Sequence, residues 1–417
     1  MNIFLLALKN IRYRWMTQCI TILLIALGIT MLWTVREIQV QGEDKLQKNL
    51  ASIDLVVGAK GSPLQLILSS IYHIDAPTGN IPYSEALKLS KHPMVKEAIP
   101  LAYGDYCQEF RIVGTSHAFL DWYAVTLKEG TLWGKTGETC LGAEAAKTLK
   151  LKIGDTFSGQ HGDGEAESGH GEYVVAGILA PSGTVLDQLI LCSVSSVWAV
   201  HGESTVNGQP STVEQSTVEQ STVDSMQTSG HGGHEEDREI TALLIRYKNK
   251  MAAMRLPRMI NETTSMQAAA PAIEINRLSF MLNQGSDTLK MVGYALLLLA
   301  LFSMLVQVWM GLEERKTELA LLRSLGFGRI KLLAMLLVEL GITVLVAYLL
   351  GEAGGRWFLT NFSSELGYGL AYRFDTSHFG SFDVQLLLLP ILVAFLAMLF
   401  HTRKIYGISI SDLLQKV

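Results

Sequence analysis

The 417-residue sequence has little charge and no pattern typical of an enzyme. Asp, Glu, Lys and Arg make up 18% of it, against 49% hydrophobic residues. Serine, histidine and aspartate are present, but no nucleophile elbow, H-E-x-x-H motif or carboxylate constellation occurs. The stretch GAKGS at 58–62 lacks the G-x-x-x-x-G-K-[ST] spacing of a phosphate-binding loop. The sequence therefore argues against catalysis or nucleotide binding by this chain itself.

The chain is also poor in cysteine, with four residues in total. Cys19 lies in an apolar run, whereas Cys107, Cys140 and Cys192 lie in the long segment that follows it. Pairing any two of these three leaves one thiol over. The sequence therefore leaves open whether a disulfide forms and which residues it joins.

Long apolar runs are what the sequence has instead. Met291–Leu312 carries no charged residue, and its length suffices to cross a bilayer as one helix. Leu332–Gly351 is nearly as apolar, and Trp15–Val35 and Val384–His401 are further candidates, so we predict four spans. Glu339 lies inside the third span, where a carboxyl group is costly unless it faces protein or water. We expect Glu339 to bond a neighbouring helix in a structural role rather than to relay protons.

Basic residues near the span ends predict the orientation. Segments 1–14, 313–331 and 402–417 contain three, five and three Lys or Arg residues, whereas the 352–383 loop contains two. Because Lys and Arg in short loops mark the cytoplasmic side, both termini and segment 313–331 are predicted to be cytoplasmic. The long segment between the first two spans is then extracytoplasmic. Apolar residues at near-helical spacing before the first span predict an amphipathic helix on the inner surface and an uncleaved span, not a signal peptide.

The charged segment between the second and third spans carries the strongest functional signal. One helical face can be lined by Leu319, Leu322, Leu325 and Phe327, with the charged residues largely elsewhere. A helix held by a span on each side cannot move far from the headgroups, so we predict a coupling helix over 313–331 that receives force from a soluble partner. Arg323 and Glu318 would fix its register, and Gly326 suits a helix C-terminus. A helix that only packs on the inner leaflet is the alternative. The predicted contact comprises Glu314, Arg315, Glu318, Leu319, Leu322, Arg323, Gly326 and Arg329.

The segment between the first two spans is large enough for one or two folded domains. After a polar, helix-compatible stretch at Arg36–Asn49, the pattern predicts a strand in SIDLVVGAKGSPLQLIL. From about 100 to 200, runs such as FRIVGTS, YAVTLKEG, EYVVAGILAP and QLILCSVSSVWAV predict short strands, with one helix at GAEAAKTLK. The strand ITALLIRYK and a helical stretch to about Asp287 then lead back to the membrane, so the chain is expected to leave one subdomain, form a second and return.

The predicted fold class is an α-helical membrane protein with four transmembrane helices and a large mixed α+β extracytoplasmic domain that contains a β-rich inserted subdomain. The predicted domains are residues 1–35 (cytoplasmic amphipathic helix and first span), 36–287 (extracytoplasmic core) and 288–417 (membrane domain with the coupling helix).

Two inserts, at 158–172 and 201–239, are rich in Gly, Ser, Glu and His, and the second repeats the pentad STVEQ. They have too little apolar surface to fold alone and are expected to be mobile. Imidazoles and nearby carboxylates in both inserts are possible ligands for Zn or Cu, although ordering mobile loops opposes binding. Solvated acidic loops are the alternative that we favour. The candidate metal ligands are His161, His170, His231 and His234.

The order of these parts resembles a known family. One span, a large external domain and three spans follow one another, and a charged helix comes after the second span. The pattern E-R-x-x-E-x-x-x-x-R-x-x-G occurs from Glu314 to Gly326. Together they resemble the MacB/FtsX-type permeases of ATP-binding-cassette (ABC) systems, with a MacB-like core over roughly 36–285 and an FtsX-like unit over roughly 290–412. The two His-rich inserts depart from the family pattern and leave the substrate open.

The resemblance implies a non-catalytic permease subunit in a bacterial inner membrane. It would form a homodimer, or pair with a paralogous permease, on two copies of a cytoplasmic ATPase that binds the ATP. Such permeases transmit ATP-driven movement to the external domain, a mode called mechanotransmission, for export or for extraction of a substrate. Further partners would be the lipid bilayer and a periplasmic adaptor or lipoprotein, without nucleic acid.

Two other functions remain open at this point. A regulatory scaffold that activates a cell-wall hydrolase would share the topology, but it predicts a smaller external domain. A metal-linked efflux or sensor component rests only on the His-rich inserts.

Overall fold

The computed structural model describes residues 3–160, 170–204, 238–314, 329–366, 374–377 and 379–406. The chain divides into two compact units. One, here called the membrane unit, comprises Met1–Glu43 and Phe280–Val417, and the other, the sheet unit, comprises Asp44–Ser279.

The described helices follow one another in this order: α1 (Ile3–Tyr13), α2 (Trp15–Asn49), α3 (Pro63–Ser70), α4 (Tyr83–Ser90), α5 (Ala118–Trp122), α6 (Ala143–Leu149), α7 (Val194–Ser204), α8 (Lys250–Thr263), α9 (Pro271–Glu314), α10 (Arg329–Leu366) and α11 (Ser381–Tyr406), with a 3-10 turn at Val185–Gln188. The strands are β1 (Leu55–Ala59), β2 (Ile81–Pro82), β3 (Val95–Cys107), β4 (Phe110–Thr115), β5 (Leu127–Gly130), β6 (Glu138–Leu141), β7 (Thr156–Gly159), β8 (His170–Leu179), β9 (Leu189–Ser193), β10 (Glu239–Ile240), β11 (Ala242–Tyr247) and β12 (Met266–Ala269).

The long apolar runs form helices, as predicted. Three helices are long and apolar enough to cross a membrane, over Trp15–Asn49, Pro271–Gln307 and Leu333–Asn361. In α11 the corresponding apolar stretch, Ser381–Leu396, is shorter. The described residues thus contain three candidate spans and one shorter apolar helix.

The sheet unit is built on one mixed sheet of ten strands in the order β12-β1-β11-β3-β4-β9-β6-β8-β5, with β7 paired to β8. The pairs β4–β9 and β6–β8 are parallel, and the remaining pairs in the sheet are antiparallel. Separate apolar clusters cover its two faces, one formed with residues of α4, α6, α7 and α8 and the other with residues of α3 and α5. Strand β3 pairs with β11 and with β4, so it joins the two halves of the sheet.

Two predicted elements were wrong. QLILCSVSSVWAV is a strand only to Ser193 and then becomes helix α7, because Ser193 Oγ accepts a hydrogen bond from Ser196 N at 3.1 Å and so caps the first turn. The helical stretch before the second span is interrupted by β12, which pairs with β1. Strand pairing also reaches into both ends of the first insert, where Ser158 pairs with Glu172, so the predicted insert boundaries were too wide.

Candidate functional site

The structure places only the ends of the predicted coupling segment. Glu314 is the last residue of α9 and Arg329 is the first residue of α10. The other six predicted contact residues lie outside the described residues, so the coupling helix stays a prediction. They are Arg315, Glu318, Leu319, Leu322, Arg323 and Gly326.

Of the four candidate metal ligands, the structure describes the position of one. His170 begins β8, where its backbone pairs with Gly159. His161, His231 and His234 lie outside the described residues. Within the part of the chain that the structure describes, no group of three or more His, Cys, Asp or Glu side chains is arranged to hold a metal ion. Weak metal binding by the two inserts stays a prediction.

All four cysteines are free thiols, which answers the question that the sequence left open. Cys107, Cys140 and Cys192 are buried. Burial raises the pKa of the Cys140 thiol to about 11 and raises the pKa of Cys192 as well. Because the thiolate is the reactive form, these residues are expected to react poorly with thiol reagents.

Hydrogen bonds between side chains connect the helices of the membrane unit. Thr21 Oγ1 of α2 donates to Gln307 Oε1 of α9 at 2.9 Å. Thr343 Oγ1 of α10 lies 2.9 Å from Gln18 Oε1 of α2 and 3.0 Å from the carbonyl oxygen of Glu339. Glu339 is only 6% exposed, so it faces protein, as its position in an apolar span requires. These contacts connect α2 to both α9 and α10.

A second group of contacts connects α2 to α10 and α11. Trp33 Nε1 donates to Asp383 Oδ1 at 2.7 Å, and this carboxyl group is 2% exposed. Thr30 Oγ1 donates to the carbonyl oxygen of Gly351 at 2.8 Å. This close approach was not predicted, although Gly351 and Gly355 form a G-x-x-x-G pattern, the usual signal for tight helix packing in a membrane.

In the sheet unit, side chains hold the C-terminal end of α2. The last carbonyl groups of a helix lack partners within the helix. Here Tyr72 Oη donates to Leu46 O at 2.8 Å and Tyr123 Oη donates to Asn49 O at 2.9 Å. Just past the helix, Arg246 Nη2 donates to Ala51 O at 2.8 Å. We call these contacts the α2 anchor.

The α2 anchor lies beside the strands that follow α2 and precede α9. Helix α2 leads into β1, and β12 leads into α9. The two strands are antiparallel neighbours, with Val56 opposite Ala269. Asn49 also accepts a hydrogen bond from Val185 N at 2.9 Å, at the start of the 3-10 turn. The two strands that adjoin the long helices in the chain are therefore neighbours in the sheet.

Comparisons with known proteins match parts of this chain. Residues 290–410 match the family model of the FtsX-like permease C-terminal domain. The chain is similar to the periplasmic region of MacB from Actinobacillus actinomycetemcomitans at 12% identity and a TM-score of 0.35, covering 56% of this chain and 97% of that one. It is similar to the extracellular domain of the noncanonic ABC-type transporter YknZ from Gram-positive bacteria at 11% identity and a TM-score of 0.31, covering 52% and 98%. No curated protein matches the chain. Residues 290–410 of the membrane unit are therefore similar to the C-terminal domain of FtsX-like permeases.

Proposed function

We propose that this chain is the permease subunit of an ABC system in which a separate cytoplasmic ATPase drives conformational work in the sheet unit. That work would export or extract a periplasmic or membrane substrate. The observation that carries the proposal is the continuity of α2 and α9, each of which joins a candidate span to one of two neighbouring strands.

The lengths of these helices support a mechanical role. At about 1.5 Å per residue, the 35 residues of α2 extend about 52 Å and the 44 residues of α9 about 66 Å. The hydrocarbon core of a bilayer is only about 30 Å thick. Both helices are therefore longer than membrane crossing requires, and the α2 anchor fixes one of them to the sheet unit.

The proposal includes the finer assignments that the sequence suggests. Helix α11 is the fourth span, both termini and segment 313–331 are cytoplasmic, and the sheet unit lies outside a bacterial inner membrane. ATP is bound by the partner ATPase, and a second permease copy or a paralogue completes the assembly. The size of Asp44–Ser279 favours a transporter over a hydrolase-activating scaffold. Among the described residues, no observation favours the metal-linked alternative.

The proposed function predicts an ATP-driven change in the sheet unit. We expect an ABC ATPase to co-purify with the chain from native membranes. A fluorophore on Met254→Cys reports from the sheet unit, because Met254 is 78% exposed and the native cysteines of this unit are buried. In liposomes that contain both proteins, ATP is expected to change its emission, and an ATPase that cannot hydrolyse ATP serves as the control. The proposal would be refuted if the intact chain is recovered without an ATPase. It would also be refuted if the fluorescence emission is the same with the active ATPase as with the ATPase that cannot hydrolyse ATP.

The orientation makes a separate prediction. In cells with an opened outer barrier, a membrane-impermeant thiol reagent is expected to label Gln215→Cys and to leave Gly328→Cys unlabelled. The background should be low, because burial and the raised pKa of Cys140 and Cys192 keep those thiols unreactive. In lysed cells both sites should react, which serves as the control. Labelling at position 328 but not at 215 in unlysed cells would show that the orientation is the opposite of the one proposed.

A further inference from the structure

Arg111 of β4 is the one arginine among the described residues that is buried, with 8% of its surface exposed. It lies against two tyrosines of β3. Its guanidinium carbon is 4.6 Å from the centroid of the Tyr103 ring and 5.0 Å from that of Tyr106. Arg111 Nε donates to Tyr106 Oη at 2.8 Å, Nη2 donates to the same hydroxyl, and Nη1 donates to Asp75 O at 3.3 Å. A guanidinium has five N–H donors, so two remain available.

A carboxylate partner is absent from this cluster as far as the described residues show. Two partly buried arginines elsewhere in the described chain have one. Arg246 stacks on Trp122 at 4.2 Å and also pairs with Glu97 at 3.5 Å. Arg356 pairs with Glu352 at 2.6 Å. For Arg111 the described partners are two aromatic rings, a hydroxyl and a carbonyl oxygen, all without formal charge.

A buried cation without a counter-charge is unfavourable. Burying an ion carries a large desolvation penalty, which a partner of opposite charge normally offsets. A cation–π contact contributes much less than that penalty. The two tyrosine rings therefore offset only part of the cost of burying the guanidinium of Arg111. An anion bound at Arg111 would offset the remainder.

His73 lies beside this cluster, but its ring has no free hydrogen-bond donor to offer an anion. Its φ of 56° lies in the left-handed region, which is rarely adopted by residues other than glycine. Its Nδ1 lies 2.9 Å from Tyr103 Oη, and that hydroxyl donates to Ser69 O, so Nδ1 is the donor and Nε2 carries the lone pair. Nε2 is buried and has no partner among the described residues. Burial and the neighbouring Arg111 lower the pKa of His73 to about 3, so the ring is neutral.

We propose that Arg111, beside the rings of Tyr103 and Tyr106, is a binding site for an oxyanion, a carboxylate or phosphate group of a ligand of the sheet unit. Asp75, whose carbonyl oxygen accepts a hydrogen bond from Arg111, lies in the exposed loop after α3. The anion takes the two remaining N–H donors of the guanidinium and neutralises its charge. The proposal does not depend on the ATPase or on the orientation of the chain.

Calorimetry of the purified full-length protein with inorganic phosphate, and separately with acetate, tests the site. Saturable binding with a stoichiometry near one is expected for at least one of the two anions, and Arg111→Gln should weaken it at least tenfold. Arg238→Gln is the matched control, because it removes an arginine that is also stacked on an aromatic ring, at 5.0 Å from the centroid of Trp198, but is exposed. Binding to this variant should equal binding to the wild type.

Several results would overturn the proposal. Wild-type protein that binds neither anion saturably would exclude the site directly, whatever the variants do. Equal affinity in Arg111→Gln would place the bound anion elsewhere. Should Arg111→Gln fail to fold, Arg111→Lys keeps the charge but loses the two-pronged geometry, and its affinity should fall below that of the wild type. An unchanged affinity in Arg111→Lys would also contradict the proposal.

Discussion

Leu322→Asp is expected to abolish the coupling of ATP hydrolysis to the permease. Leu322 lies in the middle of the apolar face of the predicted coupling helix. A carboxylate that is buried in a protein contact without a partner costs several kcal/mol. Each 1.4 kcal/mol corresponds to about a tenfold change in affinity, so a penalty near 4 kcal/mol weakens the contact roughly a thousandfold. The expected result is a permease that is inserted normally but no longer retains the ATPase or alters its activity.

Ser324→Asp is the matched control for this change. At about 100° per residue, position 324 lies roughly 200° around a helix from position 322, away from the leucines. Ser324→Asp introduces the same carboxylate at nearly the same depth. The affinity of this variant for the ATPase should stay within about threefold of the wild-type affinity, a difference of less than about 1 kcal/mol. If both variants lose the ATPase, the effect is one of charge near the membrane. If Leu322→Asp retains full binding and activity, the helix does not bind the ATPase through this face.

Much of the fold could be predicted from local sequence patterns. The apolar runs of α2, α9 and α10 are long enough to cross a bilayer, and β11 stands out as a strand that begins with a short apolar run. Helix α1 follows from its apolar spacing. In each case the signal lies within one segment, and the surroundings of that segment did not reverse it.

The elements that the sequence did not reveal depend on partners far along the chain. Strand β12 is four residues long and exists because β1 lies beside it. Tyr72, Tyr123 and Arg246 look like ordinary core and surface residues until the end of α2 is placed among them. Arg111 is one basic residue in a strand, and its burial without a carboxylate becomes visible only in three dimensions. Periodicity reports which face of an element is apolar, but not what lies against that face.

The glycines of α10 give the clearest test of how the membrane unit is packed. A Cβ added at Gly351 would lie 2.8 Å from the carbonyl oxygen of Ala26 and 2.9 Å from Ile29 Cβ, both on α2. A Cβ added at Gly355 would lie 2.6 Å from Cε3 of the buried Trp33. Backbone and a packed indole cannot move aside without separating the helices. We expect Gly351→Ala and Gly355→Ala each to cost roughly 1–3 kcal/mol of stability, and the double variant to lose the folded membrane unit.

Gly341→Ala in the same helix is expected to increase the stability of the membrane unit. A Cβ at Gly341 would meet no atom within 4 Å. Without a clash, what remains is the helix propensity of alanine, which exceeds that of glycine by about 0.8–1 kcal/mol in a helix interior. Titration of each purified variant with SDS in mixed micelles, followed by circular dichroism, measures the difference. Gly341→Ala should unfold at the wild-type SDS concentration or above it, and Gly351→Ala well below it. Equal midpoints for the two variants would mean that α2 and α10 do not pack through the glycine face. The hydrogen bond from Thr30 to Gly351 could then not hold the two helices together.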